Sequence, residues 1–239
     1  MLKPFALRLA RMILVCPAKV YRILRHLATG TRNLVQAKHN PKLPFPPIVF
    51  WWAEMFFMLL DLLCVPEVYE TLTDFFKRST RPMNAKEIAL AATVFGNSID
   101  YRQVRIDEKA AMVCRRHAII YVSFHTINSW GSFSPSILIH ELVHVWQYRQ
   151  MGAAYIPRAL MAQYTREGYN YGGLDKLKEC ISTGGSLHDF NLEQQADIIT
   201  DYFRIREGLA PQWGDGGKRD LLVYQKFAAE VFGVKNNGN

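Results

Sequence analysis

Apolar residues recur at helical intervals from Phe5 to Leu27 (Leu7, Ile13, Leu14, Val20, Ile23, Leu24 and Leu27), with Arg and Lys between them. Pro17 interrupts the run, so the pattern predicts two short basic amphipathic helices. A hinge rich in proline follows (Pro41, Pro44, Pro46, Pro47). Ile48 to Val65 is then an 18-residue apolar stretch bounded by Pro47 and Pro66. That length is near the lower limit for a membrane span. It carries Glu54 and Asp61 on nearly one helix face. Each acid costs roughly 2.5–3.5 kcal/mol at a bilayer centre. The stretch therefore reads as a helix buried on most sides, with an acidic stripe facing water or the N-terminal arm. A true span, and a membrane-surface helix with Trp51 and Trp52 at the interface, are the other readings.

From Asn84 the pattern changes. Asn84 is an N-cap with Glu87 at the third helical position, and Ile88 to Phe95 continue a helix to Gly96. Ile99–Ile106 and Ala118–Ile127 read as strands, rich in β-branched and aromatic residues, and Asn128–Phe133 as a turn. Ser134-Pro135 announces a helix from Pro135 to about Met151, stopped at Gly152. Tyr155–Tyr164 is expected to be helical, Gly168–Gly173 and Ser182–Ser186 loops. Asn191 caps a helix from Leu192 to Arg206, ended by Gly208, and Asp220–Phe232 is an amphipathic helix before a polar tail. The elements divide into a basic and apolar helical region (1–83), a central region (84–210) and a C-terminal helix and tail (211–239), an α+β chain with a small sheet.

Charge sharpens this division. The chain of 239 residues carries 29 Lys and Arg against 21 Asp and Glu, a net +8. Residues 1–42 hold nine of the bases and no acid, leaving 20 bases against 21 acids elsewhere. The basic character belongs to one arm, so no nucleic-acid partner is expected, and residues 1–65 are a candidate for peripheral membrane contact. Arg8 and Arg11 break the apolar run that a secretory signal would need. Cys16, Cys64, Cys114 and Cys180 are far apart with no CxxC pair, which fits a reduced, cytoplasm-compatible compartment without fixing the location.

The chemistry concentrates in Ile137–Trp146, which contains His140-Glu141-Leu142-Val143-His144. His140 and His144 are one turn apart on a helix face, the spacing at which two imidazoles hold one Zn2+. Glu141 is placed to reach a metal-bound water. Apart from Glu141, no charged residue occurs in this stretch, as a buried metal-bearing helix requires. Downstream, Glu193 and Asp197 in Glu193-Gln194-Gln195-Ala196-Asp197 again share a helix face. Glu193 can supply a third ligand, and Asp197 can accept the free ring N–H of a ligand histidine. Ala196 lets two helices approach closely. The competing readings are a core helix with two incidental histidines bonded to backbone, a favourable helix-N-terminal acid at Glu193 and a solvated side chain at Asp197. His125, Tyr164, Tyr169, Tyr171 and His188 are further candidates to line the site, with no spacing that favours any of them.

HExxH followed by ExxAD resembles the gluzincin branch of zinc metallopeptidases in a minimal single-domain form. The layout from Glu87 to Ile106, a strand, then Leu138 to Gln147 is similar to the metallopeptidase domain assigned to core proteins of extracellular contractile injection systems. The resemblance covers roughly Asn84 to Arg206. It implies Zn2+ on His140, His144 and Glu193, Glu141 as catalytic base, Asp197 supporting a ligand, and a peptide or protein substrate. Two other classes are carried beside it: a zinc-stabilised binding or scaffold module without hydrolysis, and a membrane-binding element centred on the N-terminal arm.

Overall fold

The computed structural model describes residues 15–30, 46–76, 79–117, 119–164 and 168–232. The expected basic helix ahead of Pro17, the Pro41–Pro44 part of the hinge and the tail beyond Phe232 lie outside the described residues. The chain forms two compact units, one from Met1–Arg78 with Gln150–Arg166, the other from Ser79–Arg149 with Glu167–Asn239.

The first unit contains α1 (residues 15–30), α2 (Pro47–Leu62), α3 (Val65–Phe76) and α6 (Tyr155–Tyr164). Burying a carboxylate is costly unless it is paired, and here each buried acid has partners. Asp61 lies 3.3 Å from Lys19 Nζ and 3.2 Å from Arg22 Nη1, both on α1. Glu54 pairs with Arg158 of α6 and lies 3.6 Å from His26. Lys19 also bonds Glu67. The expectation of a helix buried on most sides is corrected by this arrangement. On α2 the fully buried positions are Glu54, Met55, Met58 and Asp61, while much of the apolar surface faces outward. Among the described residues, no single helix is long and apolar enough to cross a membrane.

The second unit is α+β. Its sheet has the order β1–β2–β4–β3, with β1 Thr80–Pro82, β2 Arg105–Asp107, β3 Tyr121–Ser123 and β4 Thr126–Asn128. β2 and β4 are parallel and the outer pairs antiparallel. Ile127 is in register with both Ile106 and Val122, and all three sit in the core. The strand expected over Ile99–Ile106 contracts to β2, because residues 101–103 turn. The strand expected over Ala118–Ile127 is instead a hairpin. Phe124 turns the chain at φ +58°, a left-handed conformation uncommon for a residue with a Cβ.

The helices begin where their caps dictate. In α4 (Ala85–Phe95) the Asn84 side chain accepts from Glu87 N at 2.9 Å, and Glu87 Oε2 accepts from Asn84 N at 2.7 Å. α5 (Pro135–Met151) starts at Ser134-Pro135, with Ile137 N donating to Ser134 Oγ. It ends at Gly152, whose φ of +63° a side chain would resist. α8 (Leu192–Arg206) is capped by Asn191, and α9 (Leu221–Val231) packs on it. Residues 174–181, for which the pattern gave no element, lie within α7 (Gly173–Ser182). Leu142 and Ile139 of α5, Ile198 and Phe203 of α8, and Phe227 of α9 share one core with the sheet. That shared core fixes α5 and α8 as neighbours, and these helices carry the candidate ligands.

Candidate metal centre

His140 and His144 project from α5, and Glu193 from the first turn of α8. Three ligand atoms converge. His140 Nε2 and His144 Nε2 are 3.2 Å apart, and Glu193 Oε2 lies 3.4 Å from the first and 3.3 Å from the second. Among the described residues, these three form the group of His, Cys, Asp and Glu able to hold a metal ion. Four ligands at roughly 2.0–2.1 Å around Zn2+ stand about 3.3–3.4 Å from one another. The triangle therefore has the size of one face of a zinc coordination tetrahedron.

The outer hydrogen bonds decide what this triangle presents. His140 Nδ1 lies 2.9 Å from Asp197 Oδ1, and His144 Nδ1 lies 2.8 Å from Gln147 Oε1. The carboxylate requires the His140 nitrogen to donate. Gln147 Nε2 donates to Leu192 O (2.9 Å) and Gln195 Oε1 (3.0 Å), which assigns its oxygen to His144. With both Nδ1 atoms protonated, both Nε2 lone pairs face the Glu193 carboxylate. Three acceptors then meet, an arrangement that calls for a cation, and with no metal ion in place a proton on an imidazole Nε2 fills that role.

Electrostatics point the same way. Burial alone would depress His140, but its bonds to Asp197 and Glu193 outweigh burial and hold it up at about 10. Burial raises Glu193, yet the two imidazoles more than reverse this and leave it well below the usual carboxylate range. Glu141 is pushed up, mainly by burial. Its Oε2 is buried and has no hydrogen-bond partner among the described residues, an orphaned polar atom beside the triangle. The donor set, the spacing and this orphan fit Zn2+.

Asp197 is itself anchored. Trp213 Nε1 donates to Asp197 Oδ2 at 2.6 Å. The loop that carries Trp213 is held by Asp201, one turn beyond Asp197, which accepts from Gln212 N, Trp213 N and Tyr171 OH. Gln147 and Trp213 were not singled out by the sequence reading. A signal existed for Gln147, a polar residue one turn after His144 on the helix that carries both histidines. Trp213 offered none, since it reaches Asp197 from a loop.

Of the other candidates, Tyr169 approaches the triangle, its ring centroid 6.2 Å from that of His140. Burial, with Glu193, Glu141 and Asp197 adding to it, pushes its hydroxyl up to about 12. Tyr171 is turned to Asp201, His188 stacks on Trp146, and His125 sits in the hairpin turn edge-on to Tyr148. The Tyr164 side chain lies outside the described residues.

No protein-family model matches the chain. The chain is 32% identical over 135 residues to the type VI secretion system spike protein VgrG2b of Pseudomonas aeruginosa. That similarity covers 52% of this chain and 13% of the spike protein's length. Among solved structures it is similar to the effector domain of Pseudomonas aeruginosa VgrG2b, with a TM-score of 0.41 and 19% identity, covering 73% of this chain and 98% of that one.

These findings correct the functional expectation. The similarity runs to a type VI secretion spike protein, not to a gluzincin metallopeptidase, and the relative is described as a secretion component. The zinc metallopeptidase reading, with Glu141 as catalytic base, is withdrawn. Its alternative, the non-catalytic zinc-stabilised scaffold, receives no specific support from these findings. The physical reason is that HExxH and ExxAD spacing specifies which side chains converge. It does not specify what is turned over at the point of convergence.

Proposed function

We propose that this chain is the effector-type module of a type VI secretion spike and that it works with a divalent cation, Zn2+ by its donor set, held by His140, His144 and Glu193. The observation that supports the secretion reading is the 32% identity to VgrG2b over 135 residues. The metal reading is supported by the triangle of two imidazole nitrogens and one carboxylate oxygen. Asp197 and Gln147 fix the two imidazoles, and Trp213 holds Asp197. On this reading the chain leaves the cell that makes it through a type VI secretion system.

The test is a secretion assay in the source bacterium with the tagged full chain. Tagged protein in the medium of cells with a working type VI secretion system, and its retention in cells lacking that system, is the expected result. Release that does not depend on the secretion system, or retention in both strains, overturns the assignment.

A further inference from the structure

We infer that the α2–α3 hairpin of the first unit is a membrane-docking surface that dips into the interfacial layer of an anionic bilayer. The observation is an inverted distribution of polarity. A soluble amphipathic helix buries its apolar stripe and shows its charges to water. On α2, Glu54 and Asp61 are buried, and the apolar stripe is outside. Ile48, Trp52, Phe56, Leu59 and Leu63 recur every three or four residues, which places them on one face, and each is exposed. Leu63, at the bend, is 72% exposed, and Leu72 continues the apolar surface on α3. Soluble surfaces rarely show a contiguous apolar stripe of this extent without a partner.

The geometry of the bend fits shallow insertion. α2 and α3 meet at 64° across Leu63 and Cys64, with Cys64 at φ +58°. Together the two helices reach the length and apolarity of a broken or re-entrant segment, which no single described helix does. The two acids of α2 are paired within the unit, Asp61 with Lys19 and Arg22 and Glu54 with Arg158. This is the pairing expected of ionisable groups kept out of water.

Charge selects the occupant. Residues 1–42 carry nine bases and no acid, and among the described ones Lys19 and Arg22 pair with Asp61. Anionic headgroups attract such a segment, while the acyl boundary takes up the apolar stripe and Trp52 sits at the interface. An apolar groove on a protein would take the stripe but has no general use for an acid-free cationic segment preceding it in the chain.

The experiment is flotation of the full chain with vesicles of phosphatidylcholine alone and of phosphatidylcholine mixed with phosphatidylglycerol. Binding to the mixed vesicles that weakens with salt, and quenching of tryptophan fluorescence by lipids brominated on the acyl chain, are expected. Phe56→Glu with Leu63→Glu should lower binding roughly tenfold or more. Leu222→Glu, at an exposed position of the second unit (73%), should leave it unchanged. The quenching arm needs no variant, so a misfolded double mutant does not shield the proposal. No binding to either vesicle, binding without acyl-chain quenching, or equal binding by the double variant overturns it. So does light scattering that shows a dimer which the double variant makes monomeric, since a second copy would then cover the face.

Discussion

Gln147 is predicted to govern zinc affinity without touching the ion. It is 1% exposed, accepts from His144 Nδ1 and donates to Leu192 O and Gln195 Oε1. Gln147→Leu removes the acceptor that fixes the His144 tautomer, and outer-shell losses of this kind weaken metal binding by roughly 10–100-fold. It also takes the donor from the buried Gln195 Oε1, at about 1–3 kcal/mol of stability, while Leu192 O keeps its place in the α8 helix. Gln147→Glu keeps an oxygen for His144 but loses the same donor and sets its second oxygen against Leu192 O and Gln195 Oε1. Both variants should therefore melt earlier than the parent in zinc-free buffer, while only Gln147→Leu loses affinity in competition with a chromophoric chelator. If both lose affinity in step with stability, or if Gln147→Leu binds zinc as the parent does, the positioning argument is wrong.

Other consequences follow from the same contacts. Trp213→Phe removes the indole donor to Asp197 Oδ2 and should weaken zinc binding about tenfold by the same competition assay. Asn84→Ala breaks the capping box of α4 and should cost about 1 kcal/mol, read by urea denaturation, whereas Asn84→Asp keeps the cap and should cost little. Burial pushes Glu87 up, but its bonds to Arg81 and Asn84 N outweigh this and hold it below the ordinary 4.5. Its contribution is therefore complete above pH 4.5 and is lost as pH falls through the lower folded value. Arg81→Met should be less stable at neutral pH and show a shallower loss in acid, measured as Tm against pH.

What the sequence made legible was what local chemistry determines. Asn84 with Glu87, Ser134-Pro135 and Asn191 each mark a helix start through a side chain that satisfies nearby backbone donors, so no distant residue is needed to see them. His140 with His144, and Glu193 with Asp197, follow from helical spacing, and the fold brings both pairs to one point. The rest depends on partners far along the chain. The acidic stripe of α2 was visible, but its direction was set by Arg158, 104 residues from Glu54, and by α1. The hairpin at Phe124 was hidden because its left-handed residue is not a glycine. Activity was the least legible of all, since ligand spacing is shared by proteins that do different things with a metal.

Zinc stoichiometry is the most direct test. Purified full chain dialysed against trace-metal-free buffer, then measured by plasma mass spectrometry beside folded Glu193→Ala and His144→Ala variants, should carry close to one zinc per chain where each variant retains almost none. A parent chain free of zinc after exposure to it, or variants that hold as much as the parent, would contradict a cation centre at His140, His144 and Glu193.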